Sequence, residues 1–277
     1  MLTAFVGCAG VGKNTIIKEL IGRYPDKYEI FPTLTTRAMR PGEVEGDPYH
    51  FVSKETFQRL IESGEIYEWQ QIHDGNYYGG SRKVLQKHLD GGKLLIKDID
   101  VLGASTYKEK LSDITKILSV FLYVEDLDML LERMRTRGDS EEEIAKRALR
   151  FPMEMAESVN CDYLVNNERI ADTTDAVNAL LRSEETGIGL YRPAAGCTAN
   201  ECDIASRCDE MNAAEALESV QLAFNGQELL ITEGADRYAA ALRKGRFIQK
   251  QIKGLTDCSL QPAAVSLKEW GRICGIQ

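Results

Sequence analysis

The segment Val6-Gly7-Cys8-Ala9-Gly10-Val11-Gly12-Lys13-Asn14-Thr15 follows a short apolar run, Leu2 to Val6, and leads into Ile16-Ile17-Lys18-Glu19-Leu20-Ile21. The apolar run is long enough for one buried strand, and the residues after the glycines have helical spacing. Strand, glycine-rich turn and helix, in that order, form a phosphate cradle. Glycines let the backbone bend around an anion, so that N–H groups and the positive helix end point at phosphate oxygens. Lys13 then reaches the β- and γ-phosphates of a bound triphosphate. The pattern G-x-x-x-x-G-K-[ST] is missed by one residue, because Asn14 follows the lysine and the hydroxyl comes at Thr15. The expected contacts are Gly7, Ala9, Gly10, Val11, Gly12, Lys13, Asn14 and Thr15.

The chain has 277 residues, enough for a substantial core and more than one domain. Its 34 basic and 43 acidic residues leave a net charge of −9, which argues against broad binding to nucleic acid or anionic membranes. No apolar run approaches the roughly 18–20 residues of a membrane-spanning helix. The first residues carry no basic stretch and run straight into the glycine loop, so no signal peptide is expected. Seven cysteines, an odd number, then favour reduced thiols in a cytoplasmic protein.

Strand-like runs at Leu94-Leu95-Ile96, Ser119-Val120-Phe121-Leu122-Tyr123-Val124 and Tyr163-Leu164-Val165 alternate with helix-like runs, the last over about 173–181. Such alternation behind a phosphate loop predicts an α/β fold with a parallel sheet covered by helices. Between 33 and 81 the texture turns polar and aromatic, with turns at Pro41-Gly42 and Gly75-Asn76 and one helix over 54–63. That segment reads as a small insert. Residues 135–150 are densely charged, and Asp139 or Ser140 is placed to cap a helix. Gly187, Gly189, Pro193 and Gly196 read as a linker, giving a boundary near Glu185. Helical runs over 212–224 and 236–252 make the region 186–277 mainly helical by this reading.

Thr33-Leu34-Thr35-Thr36-Arg37-Ala38-Met39-Arg40-Pro41-Gly42-Glu43 sets two arginines three apart among hydroxyls. Asp47-Pro48-Tyr49-His50-Phe51, Glu68-Trp69, Gly75-Asn76-Tyr77-Tyr78-Gly79 and Asp98-Ile99-Asp100-Val101 follow. Arginine forks match phosphate oxygens bidentately, and phenol hydroxyls add neutral donors. An ionised Glu accepts only, so it suits a ligand that presents paired N–H donors. Paired carboxylates at the carboxyl edge of a parallel strand face a ligand crevice. In order and spacing, residues 1–183 resemble the guanylate kinase family, which phosphorylates GMP with ATP.

The resemblance implies a phosphate-loop nucleoside-monophosphate kinase fold over 1–185, with the GMP-binding insert at 33–81 and a lid at 135–150. It implies that Arg37, Arg40, Tyr49 and Tyr78 hold the GMP phosphate, while Thr33, Glu68, Gly80, Asp98 and Asp100 complete that site. Arg133, Arg137 and Arg147 look like lid arginines closing on ATP, and Asn167 resembles a position near adenine. The implied catalytic set is Lys13, Arg37, Arg137 and Arg147, with Mg²⁺ arriving with ATP and held by Thr15 and, partly through water, Asp98.

Four departures from the family pattern stand out: Gly80 where Ser or Thr is usual, Asn14 after the lysine, a lid shorter by one residue, and Pro152 after it. Ser81 can replace the missing hydroxyl only if its turn shifts. They leave open a different phosphorylated acceptor such as a sugar phosphate, or a binding module of weak catalysis. The region 186–277 resembles no family. Its Cys197, Cys202 and Cys208 are more loosely spaced than a zinc pair, which favours ordinary thiols. Arg237, Arg243, Lys244, Arg246, Lys250 and Lys253 form a basic stretch free of acids. A solvated helix face is favoured there over nucleic-acid contact.

Overall fold

The computed structural model describes residues 1–40, 42–72, 75–186, 191–194, 197, 203–204, 207–208, 220–225, 229–243 and 249–252. They divide into two compact units, one of residues 1–6 and 17–119, the other of residues 7–16 and 120–277.

In the first unit, β1 (Leu2–Val6) pairs in parallel with β8 (Leu94–Asp98), and β8 with β2 (Tyr28–Ile30). All five residues of β1 are buried, as a central parallel strand requires. Phe31, Tyr67, Leu85, Leu95, Tyr107 and Leu111 pack with Leu2 into one cluster. The 33–81 segment forms a second sheet in the order β4 (Val44–Glu45), β5 (Pro48–Phe51), β3 (Thr33–Thr35), β7 (Asn76–Ser81), β6 (Ile66–Ile72). It is backed by α2 (Lys54–Glu62), whose cap is Ser53 accepting from the Thr56 amide at 3.1 Å. Leu34, Phe57 and Ile66 form its core.

In the second unit, β9 (Ile117–Tyr123) pairs in parallel with β10 (Tyr163–Asn166), in the register Tyr163 opposite Val120. Between them run α5 (Leu127–Arg137), α6 (Glu141–Ala148) and α7 (Phe151–Glu157). Gly138, at φ 93°, ends α5 in the left-handed conformation that a Cβ disfavours. Ser140, not Asp139, caps α6, in a reciprocal box with Glu143. Pro152 separates α6 from α7 and sits in the first turn of the latter, where its missing N–H costs nothing. The helix expected over 173–181 is α8 (Ile170–Thr186).

Beyond 186 the described residues depart from the mainly helical expectation. Val220–Phe224, read as helix, is strand β12, and Lys250–Ile252 is strand β14; α9 (Ala235–Arg243) is helical as expected. A five-residue apolar run satisfies both periodicities, so its partners decide. Strand β14 pairs in parallel with β10 on one side and β12 on the other. Strand β13 (Leu229–Glu233) follows antiparallel to β12, with β11 (Arg192–Pro193) parallel to β13. The Tyr163 hydroxyl donates to Glu184 and meets the Tyr191 hydroxyl at 2.7 Å, all three groups buried. The basic stretch is not one solvated face: Arg237 is largely buried near Glu233, and Lys250 lies over the Tyr163 ring. The side chain of Arg243, and Lys244, Arg246 and Lys253, lie outside the described residues, as do Cys202, Gly187, Gly189 and Gly196. Among the described residues no helix is long and apolar enough to cross a membrane, and no cluster of ligating side chains fits a metal.

Candidate active site

The phosphate loop lies in the second unit and is packed from behind by that unit's own backbone. Gly7 takes φ 142°, and a Cβ there would stand 2.4 Å from the Leu122 carbonyl. At Gly10, φ 82°, it would meet the Leu130 carbonyl at 2.7 Å. Lys13 opens α1 (Lys13–Arg23) and folds its ammonium back onto the Gly7 carbonyl at 2.6 Å. Ala9 is half-buried and Val11 buried, whereas Asn14 and Thr15 are exposed on the first turn. Asn167 is fully buried and donates to the Val11 carbonyl at 2.7 Å, leaving its own side-chain oxygen without a partner. Arg133 donates to the carbonyls of Val11 and Asn167 at 3.3 and 3.1 Å. These two side chains therefore brace the loop.

Arg137 and Arg147 share one carboxylate. Asp139 accepts from the Arg137 guanidinium and, at 3.1 Å, from that of Arg147. The Arg137 pairing holds the Asp139 carboxyl below its usual range. Cys8, inside the loop, is no nucleophile: burial and the neighbouring Glu154 push its thiol up to about 12.

The first unit holds a cavity of about 520 Å³ lined by Thr33, Arg37, Arg40, Tyr49, Glu68, Tyr78, Asp98 and Asp100 among others. One wall is cationic. Glu43 accepts from both terminal nitrogens of Arg37, at 3.1 and 2.7 Å, and from the Arg40 amide at 2.7 Å. This closes the turn and sets Arg37 over the Tyr49 and Phe51 rings, each 5.5 Å away. Arg37 also hydrogen-bonds Tyr78, whose ring packs edge-on against Tyr49. The opposite chemistry comes from Glu68, half-buried on β6. Burial pushes its carboxyl up; a hydrogen bond from Tyr107 and the charges of Lys97 and Lys110 oppose this, and Asp100 adds to it. Asp100 spends one oxygen capping α4 (Val101–Leu111), accepting from the Gly103 amide at 2.7 Å.

The guanylate kinase family model matches residues 2–184. This chain belongs to the guanylate kinase family. Guanylate kinase of Idiomarina loihiensis is 43% identical over 162 residues, 58% of this chain and 75% of that one. Guanylate kinase of Streptococcus thermophilus is 38% identical over 197 residues, 69% of this chain and 92% of its own. A solved guanylate kinase, from Anaplasma phagocytophilum, aligns at 28% identity over 68% of this chain and 88% of that one, with a TM-score of 0.48.

Within this guanylate kinase framework, Gly80 stands opposite Glu68 in the β6–β7 ladder. Gly80 does not line the cavity; Gly79 does. A Cβ at Gly80 would stand 2.0 Å from the Tyr67 hydroxyl, so the Tyr67 ring fills the space a serine would take. Ser81 is committed too, capping α3 (Arg82–Asp90) and bonding Glu65 at 2.5 Å. The Gly80→Ser variant is therefore expected to lose about 1–3 kcal/mol through overpacking. Thermal unfolding checks it: a wild-type melting temperature would mean that the Tyr67 ring yields. In a double-mutant cycle, Tyr67→Leu should relieve part of the loss.

Sequence reasoning missed Lys97, Tyr107, Gln70 and Asn76 in the cavity wall, and the roles of Glu43 and Asp139. Glu43 had a legible signal, an acid six residues beyond Arg37 across a Pro-Gly turn. The others had none.

Proposed function

We propose that this chain transfers the γ-phosphoryl group of ATP to GMP, giving GDP, with residues 1–185 carrying the reaction. The observation that carries this reading is a single cavity with two arginines and two phenols on one side and a carboxylate acceptor on another. Arg37, Arg40, Tyr49 and Tyr78 bind the GMP phosphate, and Glu68 accepts the guanine N1–H and 2-amino protons. Thr33, Asp98 and Asp100 complete the base and ribose side. A sugar phosphate would bring the half-buried Glu68 carboxylate hydroxyls but no adjacent pair of N–H donors, which disfavours that acceptor.

Glycine-loop amides and Lys13 hold the triphosphate, and Arg137 and Arg147 meet the charge on the transferred group. A GMP phosphate oxygen attacks the γ-phosphorus in line while the ADP oxygen leaves. The chain's contribution is positioning and charge neutralisation, since phosphoryl transfer asks for little covalent help. Mg²⁺ would be met on this chain by the exposed Thr15 hydroxyl on the first turn of α1, and the ion would keep most of its own waters. When bound, it neutralises phosphate charge. A cytoplasmic setting suits the thiols Cys8, Cys197 and Cys208.

A coupled assay with ATP, Mg²⁺ and a panel of nucleoside monophosphates tests the reading, and absence of GDP formation by folded protein would overturn it. In the same assay Glu68→Gln should raise KM for GMP by about 10- to 100-fold and leave AMP unchanged or improved. Equal loss on both would make Glu68 structural. Because the Glu68 carboxyl is raised, it takes up a proton at higher pH than an exposed Glu. The protonated acid offers N1–H a donor, so KM for GMP should climb early as the medium is acidified. That acid limb should be missing from Glu68→Gln.

A further inference from the structure

Lys97 is a charged residue of the acceptor cavity that the proposed chemistry does not use. It stands near the end of β8, half-buried, where an exposed strand terminus would ordinarily put a lysine into water. Its ammonium instead donates to the Phe31 carbonyl at 3.1 Å and to the Thr33 hydroxyl oxygen. The Phe31 ring lies under it, 5.4 Å from its centroid. An ammonium has three protons, and these two bonds use two of them. The Thr33 hydroxyl, accepting from Lys97, keeps its own proton to donate. Glu68 and Asp98 are the acids whose charges act on Lys97.

The guanine edge reads 2-amino donor, N1–H donor, O6 acceptor, side by side. Glu68 satisfies the two donors and has nothing to offer O6. Gly80 contributes no side chain, and Tyr67 fills the space beside it. On the grounds that the cavity holds GMP, as proposed above, we infer that Lys97, with Thr33, donates to the O6 side of guanine and is a determinant of purine choice. A desolvated ammonium costs free energy unless something binds it, and a carbonyl oxygen placed beside Glu68 completes its shell. Adenine puts a 6-amino donor at that position, so its two protons would face a cation. Glu68 rejects adenine through N1 and Lys97 rejects it through the exocyclic group, two independent penalties on one edge.

Steady-state kinetics of Lys97→Met with GMP, IMP, AMP and 2-aminoadenosine monophosphate test the inference. IMP keeps O6 and lacks the 2-amino group; the last compound keeps the 2-amino group and lacks O6. Lys97→Met should raise KM for GMP and IMP by the same factor, roughly 10- to 100-fold, with kcat and KM for ATP little changed. KM for the two 6-amino nucleotides should stay level or fall. Lys97→Gln, which keeps a neutral donor and serves if Lys97→Met does not fold, should lie between wild type and Lys97→Met for GMP. Equal losses on all four nucleotides, or no loss on GMP, would overturn the inference. Failure of the wild-type protein to phosphorylate GMP would instead overturn the reading on which it rests.

Discussion

Lys13→Ala is expected to lower kcat for GDP formation by about 100- to 1,000-fold, the scale seen when one preorganised donor to transition-state charge is removed. Among the described residues the ammonium reaches two carbonyls of its own loop, Gly7 and, at 3.5 Å, Cys8. The loop's shape comes instead from its glycines, from Asn167 and from Arg133. Melting temperature should therefore change little while turnover collapses. Loss of folding together with activity would show that Lys13 holds the loop closed and would remove the catalytic interpretation.

Ending the chain at Glu185 is expected to give insoluble or molten protein, even though every residue of the proposed chemistry precedes that point. The linker composition after Glu185 and the completeness of the fold before it point to a tail that could be removed with activity intact. The packing argues otherwise. Strand β10 would lose β14 and with it a row of main-chain partners, becoming an open edge. Gln249, which donates to the carbonyls of Ser158 and Cys161 at 2.8 and 3.1 Å, would go too. So would Tyr191, Val220, Leu222, Leu230, Ile231 and Tyr238, all essentially buried. Tyr163, which stays behind, would lose the edge-on cover and the hydroxyl contact of Tyr191. Expression and circular dichroism of the 1–185 protein decide the matter. A soluble, cooperatively melting, active product would restore the tail as a separable module.

What could be read from the chain alone was whatever is local or ordered along it. The Leu2–Val6 strand, the glycine turn and the helix after it are adjacent in sequence, so one pattern reports all three. Arg37, Arg40, Tyr49, Glu68 and Tyr78 are far apart, yet their order and spacing brought them to one cavity in advance. Lys97 was invisible because a lysine after Leu94-Leu95-Ile96 reads as a solvated strand end; only the Phe31 carbonyl and Thr33, more than sixty positions away, turn it inward. Tyr107 carries no signal in the sequence, because only the fold brings this buried residue of α4 to the cavity. Strands β12 and β14 were misread because their runs are short, and the pairing that fixes them spans 87 residues, from Tyr163 to Lys250. Gly80 was assigned by position, while its reason is steric and lies in Tyr67.

Asp139 gives Arg137 and Arg147 a resident anion. In the proposed reaction these arginines would already have a counterion before nucleotide arrives, so meeting ATP would be an exchange in which polyphosphate displaces a single carboxylate. An exchange has a modest net driving force, because the ion pair that forms replaces one that breaks. After transfer Asp139 would be in place to take the arginines back, so the residue that restrains them at the start would also lower the cost of letting product go.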